Sequence, residues 1–264
     1  MGEILNCKVS VITVCRNCLE GLKRTYGSLQ DQWDSEIEWL VIDGASEDGT
    51  KEWLTDCHYD KLRFVSEPDK GIFDAMNKGT RMARGNWVLF MNAGDTFSDK
   101  FVLRKLIAIL EDRLDIVAGH TVFLSRYGTR LCHAKPLETV REGMPFCHQS
   151  VLVKREWLSR HPFDTRYHLT ADYEFFYWAA DQSPVYKIVD SPIALFDGRD
   201  SVSERNWIEV KRQYRQIQGR YDGFKNRLSW TVFVGVHWIK GMIKRFIPEA
   251  VLRRRKERYY TTDC

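Results

Sequence analysis

Val88-Leu89-Phe90-Met91-Asn92-Ala93-Gly94-Asp95 decides the fold of this chain: an apolar run of strand length stops at a small polar turn that ends in a carboxylate. A strand buried on both faces reads as a continuous apolar run, and ligands of α/β proteins bind beyond the carboxyl ends of such strands. The turn therefore presents Asp95 where a ligand would sit. A carboxylate is a hard oxygen donor suited to Mg²⁺ or Mn²⁺, although an Asp after a strand also serves as an ordinary turn residue or helix cap.

Three comparable units precede this one. Val9-Ser10-Val11-Ile12-Thr13-Val14 is an apolar strand followed by Arg16-Asn17. Glu38-Trp39-Leu40-Val41-Ile42 is a second, running into Asp43-Gly44-Ala45-Ser46-Glu47-Asp48-Gly49-Thr50. Then comes Ser66-Glu67-Pro68-Asp69-Lys70-Gly71-Ile72-Phe73-Asp74-Ala75-Met76-Asn77-Lys78-Gly79. Periodicity predicts helices over 19–32, 50–57, 72–83 and 101–112, with Asp48 or Thr50 capping the second and Asp99 the fourth. Further strands are expected at 62–65, 115–118, 122–125, 149–153 and 185–188. This alternation predicts an α/β fold with a mostly parallel central sheet flanked by helices.

With 264 residues, 44% of them hydrophobic, the chain can bury one large core. A break near Asp197-Gly198-Arg199-Asp200-Ser201 separates a body, residues 1–200, from a helical, basic extension, residues 201–264, with helices from Asn206 to Tyr221 and from Leu228 onward. Residues 240–264 carry +5 of a net charge of +4, so residues 1–239 sum to −1. The near-neutral body, without interleaved bases and aromatics, argues against a nucleic-acid partner. In the extension, Leu228 to Ile239 has no formal charge but is only twelve residues long. A spanning helix needs about 20 apolar residues. Lys240, Lys244, Arg245 and Arg253-Arg254-Arg255-Lys256 then follow, and basic residues near an anionic bilayer contribute about 1 kcal/mol each. The segment reads as lying on a membrane surface, or else as a core helix with a solvated basic end.

Residues 1–8 lack an apolar core segment, so no signal peptide is expected. Seven cysteines, an odd count without framework spacing, predict reduced thiols and a cytosolic protein. Cys15-Arg16-Asn17-Cys18 follows a strand and starts a helix, as a redox pair would. A zinc site would need Cys132-His133 or Cys147-His148 to complete four ligands. Packing around the first turn is the plainer reading of Cys15 and Cys18.

Asp172-Tyr173-Glu174 completes the set. In this order the residues resemble the family 2 glycosyltransferases, which have the GT-A (nucleotide-diphospho-sugar transferase) fold, over roughly residues 8 to 200. The likeness is to the small enzymes of bacterial capsule, O-antigen and colanic-acid assembly. The resemblance implies a hexosyltransferase that moves one hexose or N-acetylhexosamine from a UDP-sugar donor to a lipid-linked oligosaccharide acceptor. It implies inversion at the anomeric carbon and use of Mn²⁺ or Mg²⁺. With the extension, it places the protein in the cytoplasm, peripheral on the inner face of the cell membrane.

It also implies roles. Asp43 would grip the uracil imide or ribose, although Asp-Gly is also a common turn. Thr13 and Arg16, placed after the first strand, would line the same pocket. Gly71 would let the backbone approach the donor, Asp74 would meet the donor sugar or ribose, and Asn77 would hold the loop together. Asn92-Ala93-Gly94-Asp95 occupies the place of the family's Asp-x-Asp motif, with Asn92 for the first acid. Asp95 would bind the metal, and Asn92 would touch the ribose or a metal-bound water. Asp172 would be the general base that deprotonates the acceptor hydroxyl, with Glu174 as alternative. An Asp there also serves helices by accepting backbone amides. His148-Gln149, expected to open a strand, would lie on the acceptor side with Tyr173 and Glu174. Residues 198–201 would form a lid over the diphosphate. A Gln-x-x-Arg-Trp signature of processive synthases is absent, which implies a single addition per encounter.

Two other classes compete. A sugar-nucleotide nucleotidyltransferase needs a Gly-rich phosphate loop after the first strand, and Val14 to Cys18 has no glycine. A non-catalytic membrane-bound scaffold with a transferase-like fold is favoured if Asp95 or Asp172 does not face a common pocket.

Overall fold

A computed structural model describes residues 7–32 and 36–244, with residues 251, 253, 254, 257 and 260. The strands are β1 (Val9–Cys15), β2 (Ile37–Asp43), β3 (Leu62–Ser66), β4 (Trp87–Phe90), β5 (Thr96–Phe97), β6 (Ile116–Ser125), β7 (Gly128–Cys132), β8 (Val151–Lys154) and β9 (Tyr186–Asp197). The helices are α1 (Leu19–Gln30), α2 (Thr50–Asp56), α3 (Ile72–Met82), α4 (Val102–Ile107), α5 (Arg155–Arg160), α6 (Ala171–Asp181), α7 (Val202–Arg205), α8 (Trp207–Ile217) and α9 (Phe224–Lys244).

All the strands join one sheet in the order β3-β2-β1-β4-β8-β6-β9-β5, with β7 hydrogen-bonded to β6. β1, β2, β3 and β4 run parallel, as the alternation of elements predicts. Beyond β4 the sheet is mixed: β8 is antiparallel to β4 and β6, while β6 and β9 run parallel. Every residue of β1 is buried, yet its side chains divide by the strand period of two. Ile12 and Val14 join one core layer with Phe73 and Met76 of α3 and Phe175 and Phe176 of α6. Val9, Val11 and Cys15 join the other, with Leu22 and Leu29 of α1 and Leu54 of α2. β2 lies on one side of β1 and β4 on the other. The crevice beyond their carboxyl ends is thus the topological switch point, where open α/β sheets bind ligands.

Several elements differ from expectation. Residues 116–118 and 122–125 belong to one strand, β6, whose register slips around His120. Gly119 and His120 interrupt the apolar pattern because the strand bulges there, with Gly119 tight against Ile193 and the carbonyl of Ser191. The helix expected over 101–112 holds only over Val102–Ile107. His148–Ser150 form a 3-10 turn, so β8 begins at Val151. α5, α6, β5 and β7 are additional elements, and β9 runs well past residue 188 to Asp197.

α8 packs on the body: Tyr214 stacks on Tyr173 at 3.8 Å, and buried Gln213 accepts from Thr170 Oγ1 at 2.9 Å. α9 packs through Phe233 and His237 against Trp207. Among the described residues no helix is long and apolar enough to cross a membrane. Arg245, Arg255 and Lys256 of the basic extension lie outside the described residues.

Candidate active site

The turn after β4 is clamped from α1. Thr25 Oγ1 lies 2.8 Å from the carbonyl oxygen of Asp95 and accepts from the Gly94 amide at 3.0 Å. Gly94 takes φ +106°, which favours glycine. α1 approaches through Gly21, where a Cβ would crowd the Gly94 nitrogen at 3.2 Å. The backbone of the turn is therefore fixed by the Thr25 hydroxyl and by the close approach of α1.

Asp95 is only 4% exposed. Its Oδ2 accepts from Gln149 Nε2 at 3.0 Å, and its Oδ1 accepts from the Asp197 amide at 3.0 Å. Burial outweighs both bonds and pushes its pKa up to about 6. Asp197 is the last residue of β9 and carries its own partners, Arg199 at 2.5 Å and Arg24 at 3.9 Å. Hydrogen bonding from Arg199 holds the Asp197 carboxyl below its usual range.

Asn92 and Asp172 are joined through His148. Asn92 Nδ2 lies 2.9 Å from His148 Nε2, and His148 Nδ1 lies 2.9 Å from Asp172 Oδ2. Asp172 is the second residue of α6, and its Oδ1 accepts from the Tyr173 amide at 2.8 Å. The His148 and Asp172 side chains are 16% and 17% exposed, so both reach solvent while being held from behind. The ladder between β4 and β8 pairs Leu89 with Leu152. Continued beyond the strands, it brings the 148–150 turn opposite the turn after β4. Two consecutive residues, His148 and Gln149, thus each hold one polar side chain of the Asn92–Asp95 turn.

The loops after β1, β2 and β3 meet beside this group. Arg16 is exposed and lies against Gly44, which also abuts Asp69. Asp43 is fully buried and organises the second loop: its oxygens accept from the Ser46 hydroxyl, the Ser46 amide at 3.1 Å and Ser66 Oγ at 2.6 Å. Asp48 accepts from the Leu19 amide at 2.8 Å and from Thr50 Oγ1 at 2.6 Å, tying the starts of α1 and α2 together. Asp74 is half-buried and reaches back to the Lys70 amide at 3.0 Å, one residue before the Gly71 N-cap of α3. Gly71, exposed at φ +121°, starts α3. Asn77 does hold a loop, bonding both the amide and the carbonyl of Phe163 at 2.9 and 2.8 Å.

Four expected contacts are corrected. Thr13 lies within β1, not after it, and is fully buried, accepting from Trp39 Nε1 at 3.0 Å. Gln149 is 3% exposed and serves Asp95. Tyr173 is fully buried, its hydroxyl donating to the Val140 carbonyl at 2.7 Å and accepting from Gln218 at 2.6 Å. Glu174 pairs with His161 at 3.1 Å. Residues two apart on a helix point to opposite sides, so Glu174 turns away from His148. Thr25 and Asp197 are site residues that the sequence reading missed. Neither stands in a local pattern, and each reaches the turn over about 70 residues or more of chain.

Six cysteines are free among the described residues, and no cluster of three or more His, Cys, Asp or Glu side chains there could hold a metal. The zinc reading of Cys15 and Cys18 therefore fails for those residues. A cation shared with a bound diphosphate makes a smaller demand on the protein. Asn92 Oδ1 is buried without a hydrogen-bond partner among the described residues, and Asp95 stands in the same turn. Two hard oxygen donors suit Mg²⁺ or Mn²⁺ when phosphates and water supply the remainder.

The model for the family described as Glycosyl transferase family 2 matches residues 10–173. The chain belongs to glycosyl transferase family 2. The matched stretch runs from β1 to one residue past Asp172. An uncharacterised glycosyltransferase of Mycobacterium tuberculosis (strain ATCC 25618 / H37Rv) is 33% identical to this family 2 chain over 149 residues, 56% of this chain and 54% of that protein. The chain thus spans about half the length of that relative. The PGL/p-HBAD biosynthesis glycosyltransferase of Mycobacterium bovis (strain BCG / Pasteur 1173P2) is 26% identical over 181 residues, 66% of this chain and 68% of that protein. Among solved structures, the mannosyltransferase PcManGT from Pyrobaculum calidifontis, in complex with GDP-Man and Mn²⁺, superposes with a TM-score of 0.63 at 18% identity, covering 82% of this chain and 65% of that one. Residues 1–349 of S. aureus TarS, in complex with UDP, give a TM-score of 0.62 at 19% identity, covering 80% and 65%. These likenesses establish the GT-A fold for the family 2 chain.

Proposed function

We propose that the protein is an inverting, non-processive glycosyltransferase that moves one hexose or N-acetylhexosamine from a UDP-sugar to a lipid-linked glycan in bacterial polysaccharide biosynthesis. The observation that carries this reading is the bonded series Asn92–His148–Asp172, which sets a carboxylate beside the turn that closes β4 at the switch point. A base and a donor-binding turn held apart would favour the scaffold reading. The complexes of PcManGT with GDP-Man and of TarS with UDP support a nucleotide-sugar donor.

In the proposed reaction Asp172 takes the proton of the acceptor hydroxyl as that oxygen attacks the anomeric carbon. The new glycosidic bond forms as the bond to the UDP oxygen breaks, the bonding pair leaves with UDP, and the anomeric centre inverts. Arg16, Asp43, Gly71 and Asp74 would surround the nucleotide and sugar, with Asp43 acting partly by shaping its loop. Asp95 and Asn92 Oδ1 would hold Mn²⁺ or Mg²⁺, which offsets charge on the departing diphosphate.

An anionic membrane surface on the cytoplasmic side would bring the acceptor. The exposed face of α9 supports this: Phe224, Leu228, Val232, Val236, Ile239 and Ile243 lie open on one side. Trp230, Phe233 and His237 cluster on the other, Phe233 and His237 against Trp207. α9 contains Lys225, Arg227, Lys240 and Lys244 and no acidic residue. An apolar face with cationic flanks suits a helix lying in an anionic interface.

Calorimetry with UDP, GDP and CMP, in Mn²⁺ and then in EDTA, tests the reading. Metal-dependent binding of UDP alone is expected. Absence of nucleotide binding under every condition would reject it.

A further inference from the structure

The geometry points to His148 as the positioning residue of the base, locked into one tautomer by Asn92. This rests on the proposed role of Asp172. Both ring nitrogens of His148 are engaged by side chains from different elements, Nε2 by Asn92 beyond β4 and Nδ1 by Asp172 at the start of α6. Asn92 donates through Nδ2, so Nε2 must accept and the ring proton must sit on Nδ1. His148 is therefore a donor to Asp172 Oδ2. The Tyr173 amide donates to Oδ1, and two donors on two oxygens fix the plane of the carboxylate.

Asn92 makes this possible because it has a donor. A carboxylate at position 92 can only accept, so it would demand a proton on Nε2. A neutral ring would then present a bare Nδ1 to Asp172, two acceptors facing each other. The departure from the acidic motif at position 92 thus sets which nitrogen of His148 carries the proton, and so whether the ring donates to the base. The same amide leaves Oδ1 without a partner among the described residues. Asn92 can therefore meet a donor-side group through oxygen while holding His148 through nitrogen, and one side chain couples the donor turn to the base.

The test has two arms. In ¹⁵N-histidine NMR of the whole protein, His148 is expected to show the proton on Nδ1 alone, and Asn92→Asp to bring a proton onto Nε2. A wild-type ring protonated on Nε2 alone would overturn the inference. The second arm replaces the ring by either half of its geometry. Asn at 148 keeps a donor near the Nδ1 position, and Gln keeps a group near Nε2. UDP release from a UDP-hexose, with water as acceptor, is measured beside UDP binding. His148→Ala and His148→Gln are expected to lose at least about tenfold in kcat, within the range seen when orienting partners are removed. His148→Asn should recover most of that loss, with UDP affinity unchanged in all three. An Asn variant as slow as the Gln variant, or affinity falling in step with kcat, would reject the positioning role. Asp172→Asn serves as control: if it retains turnover, the assignment of the base fails, while the NMR arm still decides the tautomer.

Discussion

Gln149 Nε2 donates to Asp95 Oδ2 at 3.0 Å, and this bond fastens the turn before β8 to the turn after β4. The carboxylate is nearly buried, and burial pushes its pKa up to about 6 from an ordinary 3.8 although the Gln149 bond lowers it. A folded-state pKa raised in this way means that the folded protein holds the proton more tightly than the unfolded chain. Ionised Asp95 therefore costs stability above about pH 6, and the cost fades as pH falls toward 4.

Asp95→Asn keeps the shape without the buried charge, and Gln149 can turn its amide to match. The variant is expected to gain on the order of 1–3 kcal/mol over wild type above pH 6 and nothing near pH 4. Thermal midpoints at the two pH values check this. Metal-dependent UDP binding should vanish in the variant, and in wild type should decline as pH drops through about 6. Equal stability of the two proteins at both pH values would show that Asp95 carries no buried charge.

Asn92→Asp restores the acid that the resemblance places there. It is expected to tighten Mn²⁺-dependent UDP binding, because a carboxylate is the stronger cation ligand, and to lower kcat, because it cannot donate to His148. Calorimetry and turnover with the same UDP-sugar read the two effects separately. A rise in both would argue that the amide has no special role.

Tyr173→Phe removes a buried hydroxyl that joins the Val140 carbonyl to Gln218. A loss of about 1–3 kcal/mol in denaturant unfolding is expected, since the Val140 carbonyl loses the hydroxyl and the Gln218 amide keeps only the Arg141 carbonyl. The acceptor KM should stay unchanged. A raised KM in a stable variant would return Tyr173 to the acceptor site.

Leu228→Asp with Val236→Asp places two charges on the exposed side of α9. Co-sedimentation with vesicles rich in phosphatidylserine should fall several-fold, with little change in thermal midpoint because both positions are open. Dimer dissociation in place of lost vesicle binding would assign that face to a second copy.

The turn residues Asn92 and Asp95 were legible because a buried parallel strand ends abruptly in polarity. Thr13 misled for the same reason: a strand buried on both faces offers no pattern to tell which side a residue faces or where the strand stops. α6 was hidden because Ala171 to Asp181 places aromatics all around the helix, leaving no polar stripe to mark the period. Without that helix, Glu174 stood as an alternative to Asp172 as base, and Tyr173 was set beside it on the acceptor side. With it, neighbours point about 100° apart and only Asp172 meets His148. The pairing of His148 with Asn92 spans 56 residues and depends on β8 running antiparallel to β4, a relation carried by no local signal.

Gly71 differs in kind from Gly21. A Cβ at position 71 would meet nothing within 4 Å, yet the backbone stands at φ +121° and ψ 172°. The site therefore excludes side chains by handedness and not by room. L-alanine there would have to distort the entry to α3, although its Cβ would meet nothing within 4 Å. The space beside the start of α3 is thus held open by the sense of the backbone and not by any neighbour that fills it.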